Sequence, residues 1–381
     1  MYQLHQYLEM MVDRNRLEPL EAAIRSRVRP GDVVLDLGAG TGVLSFIALH
    51  AGAAHVYAVE LSPYLEVARQ VARANGLAER ITFIQADART MVLPRQVDGL
   101  IGDVRGTLPL LRDNIDLFQF VRERWLKPGG YTVPLADEIH VSPVAAAAPH
   151  RRVSGWLQPR PEAHYEAAAA VAANLFVREN LAAADVLAGS QALGSIRYDG
   201  ATPRKLSLQT SFVIERSATM TGLGLWFRGR LTPEIVFDTS PFSPATVYGQ
   251  AFLPLSQARP VAAGETITVS VAAYRAPSDA IWKWTIDSPS QSLQSSPWRE
   301  RHSTFEGTTL GRAGIDWLTG TKRPTLSEEG RLARHLSAAL DGKTTANELA
   351  VQVKEAFPGR FASLDDALSA VMTFLGRYAA P

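Results

Sequence analysis

The stretch that decides the fold is VVLDLGAGTGVLS, residues 33–45. Its first five residues are an apolar run typical of a buried strand. The glycines that follow, Gly38, Gly40 and Gly42, lead into a segment with helical character. Glycine between a strand and a helix lets the backbone take positive φ and approach a ligand at the helix N-terminus. The stretch therefore predicts a ligand-binding turn at the end of a strand.

Strand and helix patterns alternate around this turn. After the helix VLSFIALHAG come a strand, HVYAVELS, a helix, PYLEVARQVARANG, and two more strands, ITFIQAD and VDGLIGD. Repeated strand–helix–strand units predict a parallel sheet with right-handed crossovers. Residues 1–30 read as helical, and YTVPLADEIHVSPV predicts a further strand. We therefore expect an α/β, Rossmann-like domain over residues 1–144.

The pattern changes after Val144. Residues 145–287 contain, near their start, an alanine-rich insertion at about 157–185, for which we expect helices. From residue 194 onward, short segments of alternating apolar residues are separated by Gly and Pro, which predicts a β-barrel or sandwich. A second, β-barrel-like domain is therefore expected.

The C-terminal part has two further compositions. Residues 288–325 are rich in Ser, Pro, Thr, Arg and Gly and predict a linker. Residues 326–381 predict a small helical domain, with capping boxes beginning at Thr345 and Ser363.

The composition excludes several classes of function. Among 381 residues, 39 are Lys or Arg and 38 are Asp or Glu, which argues against a dedicated nucleic-acid or membrane-surface protein. The chain has no cysteine, so disulfides, thiolate metal sites and cysteine nucleophiles are excluded. Its histidines show no metal-ligand spacing. We see no signal peptide and no apolar run of about 20 residues, so a cytoplasmic protein without metal is expected.

Three acidic residues end three successive strands. Asp36 precedes the glycines and favours a ligand with a cationic amino-acid end over a pyrophosphate, and Val43 departs from the dinucleotide fingerprint. Glu60 could accept hydrogen bonds from two ribose hydroxyls. Asp87 could accept one from an adenine amino group. Helix capping is the alternative for Glu60 and Asp87, but three acids in register after a glycine-rich turn indicate a nucleoside site.

Together these features resemble the first motif of class I S-adenosylmethionine (AdoMet) methyltransferases. The segments MMVDRNR, WLKPGGYTVP and ATVYGQAFLPL are similar to the protein arginine methyltransferases, over about residues 7–287. This resemblance implies AdoMet as cofactor, a homodimer formed through the alanine-rich insertion, and pairing of Arg16 with the carboxylate of AdoMet. The cofactor-binding residues it implies are Arg16, Asp36, Gly38, Ala39, Gly40, Gly42, Glu60, Leu61, Asp87, Ala88 and Asp103.

The loop IGDVRGTLPLLRDN, residues 101–114, departs from that family. Two glutamates that hold the substrate guanidinium in the family align with Asp103 and Arg112, and the histidine of its barrel loop is absent. We assign Asp103, Arg105 and Arg112 to the acceptor side and regard arginine as the less favoured acceptor. Arg105 and Arg112 could bind an anionic group of the acceptor; the alternative is that they are solvent-exposed charges or form ion pairs with Asp103 or Asp113.

Three functions remain open. The chain could methylate a nitrogen or oxygen of a peptide or small molecule, it could be a genuine arginine methyltransferase with a rebuilt loop, or it could bind AdoMet as a non-catalytic scaffold or peptide-recognition protein. LDGKTTANELA, residues 340–350, resembles the winged-helix-like peptide chaperone of pyrroloquinoline quinone synthesis. That resemblance implies peptide recruitment, and a stabilising or dimerising appendage is the alternative. Neither a nucleic acid nor a membrane is expected as a partner.

Overall fold

The computed structural model describes residues 3–276, 279–289, 297–309 and 323–379. It divides into two compact units, Met1–Thr309 and Leu310–Pro381. The first unit contains one parallel and two antiparallel sheets, and the described part of the second contains helices. The expected α/β, Rossmann-like fold with a β-barrel-like part and C-terminal helices is confirmed.

The N-terminal part alternates helices and strands as the sequence predicts. The elements are α1 Leu4–Val12, α2 Arg14–Arg27, β1 Val33–Leu37, α3 Val43–His50, β2 His55–Glu60, α4 Leu65–Ala74, a 3₁₀ turn Ala78–Arg80, β3 Ile81–Gln85, β4 Val97–Ile101, α5 Asn114–Trp125 and β5 Leu126–Val133.

The five strands form one parallel sheet in the order β3-β2-β1-β4-β5. All five residues of the central strand β1 are buried, as expected of a strand covered on both faces. The carboxyl ends of β1, β2 and β4 lie at one edge of the sheet, where open α/β sheets bind ligands. The glycine-rich turn and the loop after residue 101 therefore meet at this edge.

The expected single strand over 131–144 is two strands. After β5 ends at Val133, β6 (Ala136–Val144) pairs antiparallel with β10 (Ala218–Arg230) in another sheet. Pro134 has no N–H group with which to continue the parallel ladder. The chain therefore changes sheet before the composition changes at residue 144.

Two antiparallel sheets follow, in the orders β7-β12-β10-β6-β8 and β15-β14-β13-β9, with β11 paired to β10. Their alternating burial fits the period-two pattern of the sequence. The bounds are β7 Val177–Glu179, β8 Gln191–Arg197, β9 Lys205–Val213, β11 Val236–Asp238, β12 Gln250–Val261, β13 Thr266–Tyr274, β14 Ile281–Ser288 and β15 Trp298–Ser303.

The alanine-rich insertion is helical only in part. Helices α6 (Ala147–Ser154) and α7 (Glu166–Ala172) are joined through a 3₁₀ turn at Gly155–Leu157, and a second such turn covers Ala183–Asp185. Between them β7 pairs with the edge of the first antiparallel sheet. The expectation of helices throughout 157–185 is wrong for Val177–Glu179, because pairing of this segment with β12 outweighs its local helix propensity.

The predicted linker is also shorter than expected. β15 lies within 288–325 and pairs antiparallel with β14, with His302 and Ser303 buried. Sequence composition missed this strand because five of its six residues are polar, so it shows no alternation of apolar and polar residues. Residues 290–296 and 310–322 of the predicted linker lie outside the described residues.

The C-terminal unit contains α8 (Glu328–Ala339), α9 (Ala346–Ala356) and α10 (Leu364–Tyr378), and residues 323–379 contain no strand. The capping boxes at Thr345 and Ser363 are present, as predicted. A separate apolar core stabilises this unit. No helix in the described ranges is long and apolar enough to cross a membrane.

Candidate active site

The glycine-rich turn has the backbone that the sequence predicts. Gly38, Gly40 and Gly42 take φ values of 76°, 53° and 88°, in the left-handed region that favours glycine. A Cβ atom at Gly40 would lie 2.6 Å from the Tyr7 ring. The turn thus brings bare backbone against helix α1, and α3 begins immediately after it.

A cavity of about 660 Å³ opens at this turn. It lies between α1, the glycine-rich turn, the end of β2 and the loop that follows β4. Its volume is in the range of cavities that bind cofactors and drug-sized ligands. Its lining residues are Gln6, Tyr7, Met10, Met11, Arg16, Gly38, Ala39, Gly40, Thr41, Val43, Leu44, Glu60, Leu61, Ser62, Asp103, Val104, Arg105, Leu111, Arg112 and Asn114.

Glu60 is fixed at the wall of this cavity. Its Oε2 accepts a hydrogen bond from the N–H of Gly40 at 3.0 Å, and its Oε1 accepts one from the N–H of Ser62 at 2.8 Å. Each carboxylate oxygen has a further lone pair. Glu60 therefore holds the turn and retains the capacity to accept two more hydrogen bonds.

Asp36 lies at the end of β1, behind the turn rather than on the cavity wall. Ser45 Oγ donates to its Oδ2 at 2.6 Å, and no described residue bonds to its buried Oδ1. Burial, assisted by the negative charges of Glu60 and Asp103, raises the pKa of Asp36 to about 7. Asp36 is therefore a buried carboxylate with one acceptor atom unused.

Asp103 is held by two arginines. Arg16 Nε donates to Asp103 Oδ2 at 2.6 Å and its Nη2 lies 2.5 Å from the same oxygen, while Arg105 Nε donates to Oδ1 at 2.9 Å. Tyr248 Oη donates to Oδ2 at 2.5 Å. Burial by itself raises the pKa of Asp103, but attraction to both guanidinium groups holds it well below its usual range. This carboxylate is ionised and its oxygens are engaged.

Arg105 is buried in the same network. Its Nη1 donates to Asp137 at 3.2 Å and its Nη2 to Tyr248 Oη at 3.3 Å, in addition to its bond to Asp103. Asp137 in turn accepts a bond from Tyr198 Oη at 2.7 Å. Of the two alternatives for Arg105, the structure shows the ion pair with Asp103. Its guanidinium is therefore not free to bind an anion.

Aromatic rings complete the surroundings of Arg105. Its guanidinium carbon lies 4.8 Å from the ring centre of Phe237 and 5.5 Å from those of Phe227 and Tyr248. Cation–π attraction adds to the charge pairing at such distances. These rings and the carboxylates of Asp103 and Asp137 thus form a box that encloses the guanidinium of Arg105.

Arg112 differs from the other two arginines of the cavity. Its side chain is exposed and its φ is 50°. Among the described residues, no other non-glycine residue has a positive φ. Its backbone N–H donates to Asp279 Oδ1 at 3.4 Å. Its guanidinium makes no hydrogen bond or ion pair with a described residue.

Four of the expected cofactor residues do not line the cavity: Asp36, Gly42, Asp87 and Ala88. Asp87 is paired with Arg89, which also bonds to Asp113. The other seven, Arg16, Gly38, Ala39, Gly40, Glu60, Leu61 and Asp103, are brought together around it. Asp103, Arg105 and Arg112, which we expect on the acceptor side, line it as well.

Comparison with known proteins agrees with this geometry. A family model described as a methyltransferase domain matches residues 34–130. Protein arginine N-methyltransferase 2 of Homo sapiens is 29% identical over 301 residues, covering 73% of this chain and 67% of that protein. The chain is a class I AdoMet-dependent methyltransferase that resembles the protein arginine methyltransferases.

Solved structures show that the methyltransferase shares its fold with two arginine methyltransferases. The Trypanosoma brucei PRMT1 enzyme–prozyme complex with AdoHcy superposes with a TM-score of 0.72 at 21% identity, covering 79% of this chain and 98% of that chain. Arabidopsis thaliana protein arginine methyltransferase 10 gives 0.68 at 20% identity, with the same two coverages. At such identities the likeness establishes the fold alone.

Sequence reasoning missed three residues of the buried network beside the cavity. Tyr248 and Asp137 bond to Arg105 from 143 and 32 positions away in the sequence. Tyr198 bonds to Asp137 from 61 positions away. Each reads in the sequence as an ordinary residue in or near a strand. No local pattern marks a contact made only by tertiary folding.

Asp103→Ala tests the buried network. The substitution leaves two buried guanidinium groups without their shared anion, which we expect to lower the free energy of unfolding by about 3–5 kcal/mol. Asp113→Ala is the matched control, because the side chain of Asp113 is 39% exposed and pairs with Arg89 at the surface. We expect that control to cost at most about 1 kcal/mol. Equal losses in urea unfolding of the two variants would contradict the assignment.

Asp36 makes stability depend on pH. Its folded pKa of about 7 exceeds its ordinary value of 3.8, so folding favours the protonated carboxyl; the cost of burying this group grows as pH rises from about 4 to 7 and is present in full above pH 7. We expect Asp36→Asn to be more stable than the wild type at pH 8, by a few kcal/mol at most. The advantage should shrink as pH falls through 7 and vanish near pH 4. A difference in melting temperature that is constant with pH would show that Asp36 is not buried as described.

Proposed function

We propose that this methyltransferase transfers the methyl group of AdoMet to a nitrogen or oxygen nucleophile of a peptide or small molecule, and that a guanidinium is not its acceptor. The observation that carries the proposal is the engagement of Asp103 by Arg16 and Arg105. Besides Asp103, the only carboxylate among the described lining residues is Glu60, at the end of β2. A cationic acceptor therefore finds no free anion near the loop after β4.

Charge repulsion supports the same conclusion. Arg112 lines the cavity without an anionic partner among the described residues. A second guanidinium at about 4 Å from it would be disfavoured by about 4 kcal/mol at an effective dielectric constant near 20. An acceptor that is neutral or negative escapes this cost.

The residues around the turn suit AdoMet. Each of the three guanidinium nitrogens of Arg16 already interacts with protein, through Asp103, Tyr248 and the carbonyl of Met10. Since a guanidinium has five N–H groups, donors remain for the carboxylate of the cofactor. Glu60 retains lone pairs for ribose hydroxyls, and Asp36 retains Oδ1 for a bond relayed towards the ammonium end.

The bound cofactor supplies an electrophilic methyl group, and the protein supplies position. Methyl transfer is an in-line displacement, so holding the acceptor atom close to the methyl group and aligned with it provides most of the rate enhancement. The network of Asp103, Arg105 and Asp137 fixes the loop that would face the acceptor. Arg105 acts here as a positioning residue, because its contacts are with protein groups.

Glu60→Ala and Asp87→Ala should separate the roles of the two strand-end acids. Glu60 lies on the cavity wall, so losing its charged hydrogen bonds should weaken AdoMet binding about 10- to 100-fold. Asp87 does not line the cavity and is paired with Arg89, so we expect a smaller effect from its removal. Calorimetry with AdoMet and AdoHcy measures both. Unchanged affinity in Glu60→Ala would overturn the proposed orientation of the cofactor.

Radiolabelled methyl transfer tests the proposed function. Protein, labelled AdoMet and a cell extract are incubated with and without a mixed peptide pool, and the labelled products are hydrolysed and separated. We expect label in a product other than methylarginine. Methylarginine would identify a genuine arginine methyltransferase with a rebuilt loop. AdoMet binding without any transfer would identify a non-catalytic scaffold.

The dimer and the peptide-recruiting role of the C-terminal unit stay predictions from the resemblances. Exposed apolar side chains in and near the insertion are compatible with a protein contact there. They are Trp156, Leu157, Tyr165 and Leu175.

A further inference from the structure

The charged side chains of the cavity do not balance. Five such residues line it: Arg16, Glu60, Asp103, Arg105 and Arg112. Arg16 and Arg105 share Asp103, and Arg105 also pairs with a further buried aspartate outside the cavity. The guanidinium of Arg112 is left without a described anionic partner, so the acceptor side of the cavity carries a positive charge available to a ligand.

The described residues around the loop after β4 offer the acceptor no general base. No histidine or lysine occurs among its described lining residues. The pKa of Asp103 is held well below its usual range, chiefly by its two arginines acting against burial, so this carboxylate is a very weak base. Glu60, at the end of β2, is held by the amides of Gly40 and Ser62, and the proposed function assigns its remaining lone pairs to the ribose of the cofactor. An alcohol or an ammonium acceptor must lose a proton to be methylated, and these residues leave it no base.

Arg112 is held in place by its neighbours. Its backbone N–H is bonded to Asp279, and Asn114 Nδ2 donates to the carbonyl of Val104 at 2.6 Å, closing the loop on itself. The left-handed φ of 50° is disfavoured for a residue with a side chain. Such conformations persist where the surrounding structure imposes them, and they concentrate at functional sites.

We propose that the acceptor is a carboxylate, that Arg112 binds it, and that the product is a methyl ester. This inference rests on the proposed function and specifies its substrate class. A carboxylate is deprotonated above about pH 4, so its methylation needs no base. A guanidinium binds a carboxylate in a planar, two-point geometry. The unpaired charge of Arg112 and the missing base are thus explained by one kind of acceptor.

The transfer balances without a proton. A lone pair of one carboxylate oxygen forms the new bond to the methyl carbon, and the carbon–sulfur bond breaks with its electron pair retained by sulfur. A sulfonium and a carboxylate become a neutral thioether and a neutral ester. The ester no longer carries the charge that Arg112 attracts, which favours release of the product.

The chemistry of the product tests the proposal. Methyl esters hydrolyse in mild alkali and release methanol, whereas N-methyl and ether products do not. After incubation with tritiated AdoMet and either a cell extract or a peptide pool rich in Asp and Glu, we expect volatile label after alkali. Label that is stable to alkali in a product other than methylarginine would overturn the carboxylate acceptor while leaving the proposed function intact, and methylarginine would overturn both. Absence of any incorporated label would overturn the proposed function itself.

Binding to Arg112 variants gives a readout independent of turnover. The affinity of AdoHcy-loaded protein is measured for the acidic pool and for a matched pool with Asn and Gln in place of Asp and Glu. We expect the acidic pool to bind more tightly, and Arg112→Gly to weaken its binding about tenfold or more. Glycine accepts the left-handed backbone, so this variant keeps the loop conformation.

Two further variants complete the test. Arg112→Lys keeps the charge and should retain part of the preference for the acidic pool, while Arg112→Glu should reverse it. Arg299→Ala removes the same charge at an exposed position of β15, paired with Asp287, and should leave the preference unchanged. Equal binding of both pools by the wild type, or no binding of the acidic pool, would contradict the proposal.

Discussion

The carboxylate of Asp103 is the interaction on which the rest of the site depends. It accepts hydrogen bonds from Arg16 on α2, from Arg105 in its own loop and from Tyr248, which precedes β12. One buried anion therefore joins the N-terminal helices, the loop after β4 and the antiparallel sheets. Because breaking a buried ion pair leaves uncompensated charge, these three parts are constrained to a single arrangement.

In the proposed function, this constraint also determines which acceptor is used. A carboxylate that neutralises two of the chain's own guanidinium groups is not available to a guanidinium acceptor. The aromatic rings around Arg105 complete the box that encloses its guanidinium. Arg112 then remains as the arginine of the cavity without a described anionic partner, and under the proposed function the fold shared with arginine methyltransferases is combined with an acceptor side of opposite electrostatic preference.

The parts of the site that could be predicted are those encoded locally. Strand β1 and the left-handed glycines follow from a short stretch, and Glu60 reaches the cavity because it ends the next strand. The parts that could not be predicted depend on contacts between distant residues. The bond from Arg16 to Tyr248 spans 232 positions, and the strand β15 is recognisable only beside its partner β14. The resemblance to the arginine methyltransferases identified the altered loop, but the pairing that neutralises Asp103 required the folded chain.

A crystal structure of the protein with AdoHcy tests the account most directly. We predict that Asp103 remains in contact with both Arg16 and Arg105, with Arg105 still enclosed by Phe227 and Phe237, while AdoHcy occupies the cavity beside Glu60. An Arg105 side chain displaced from its box, with the Asp103 carboxylate facing an open acceptor channel, would contradict the account.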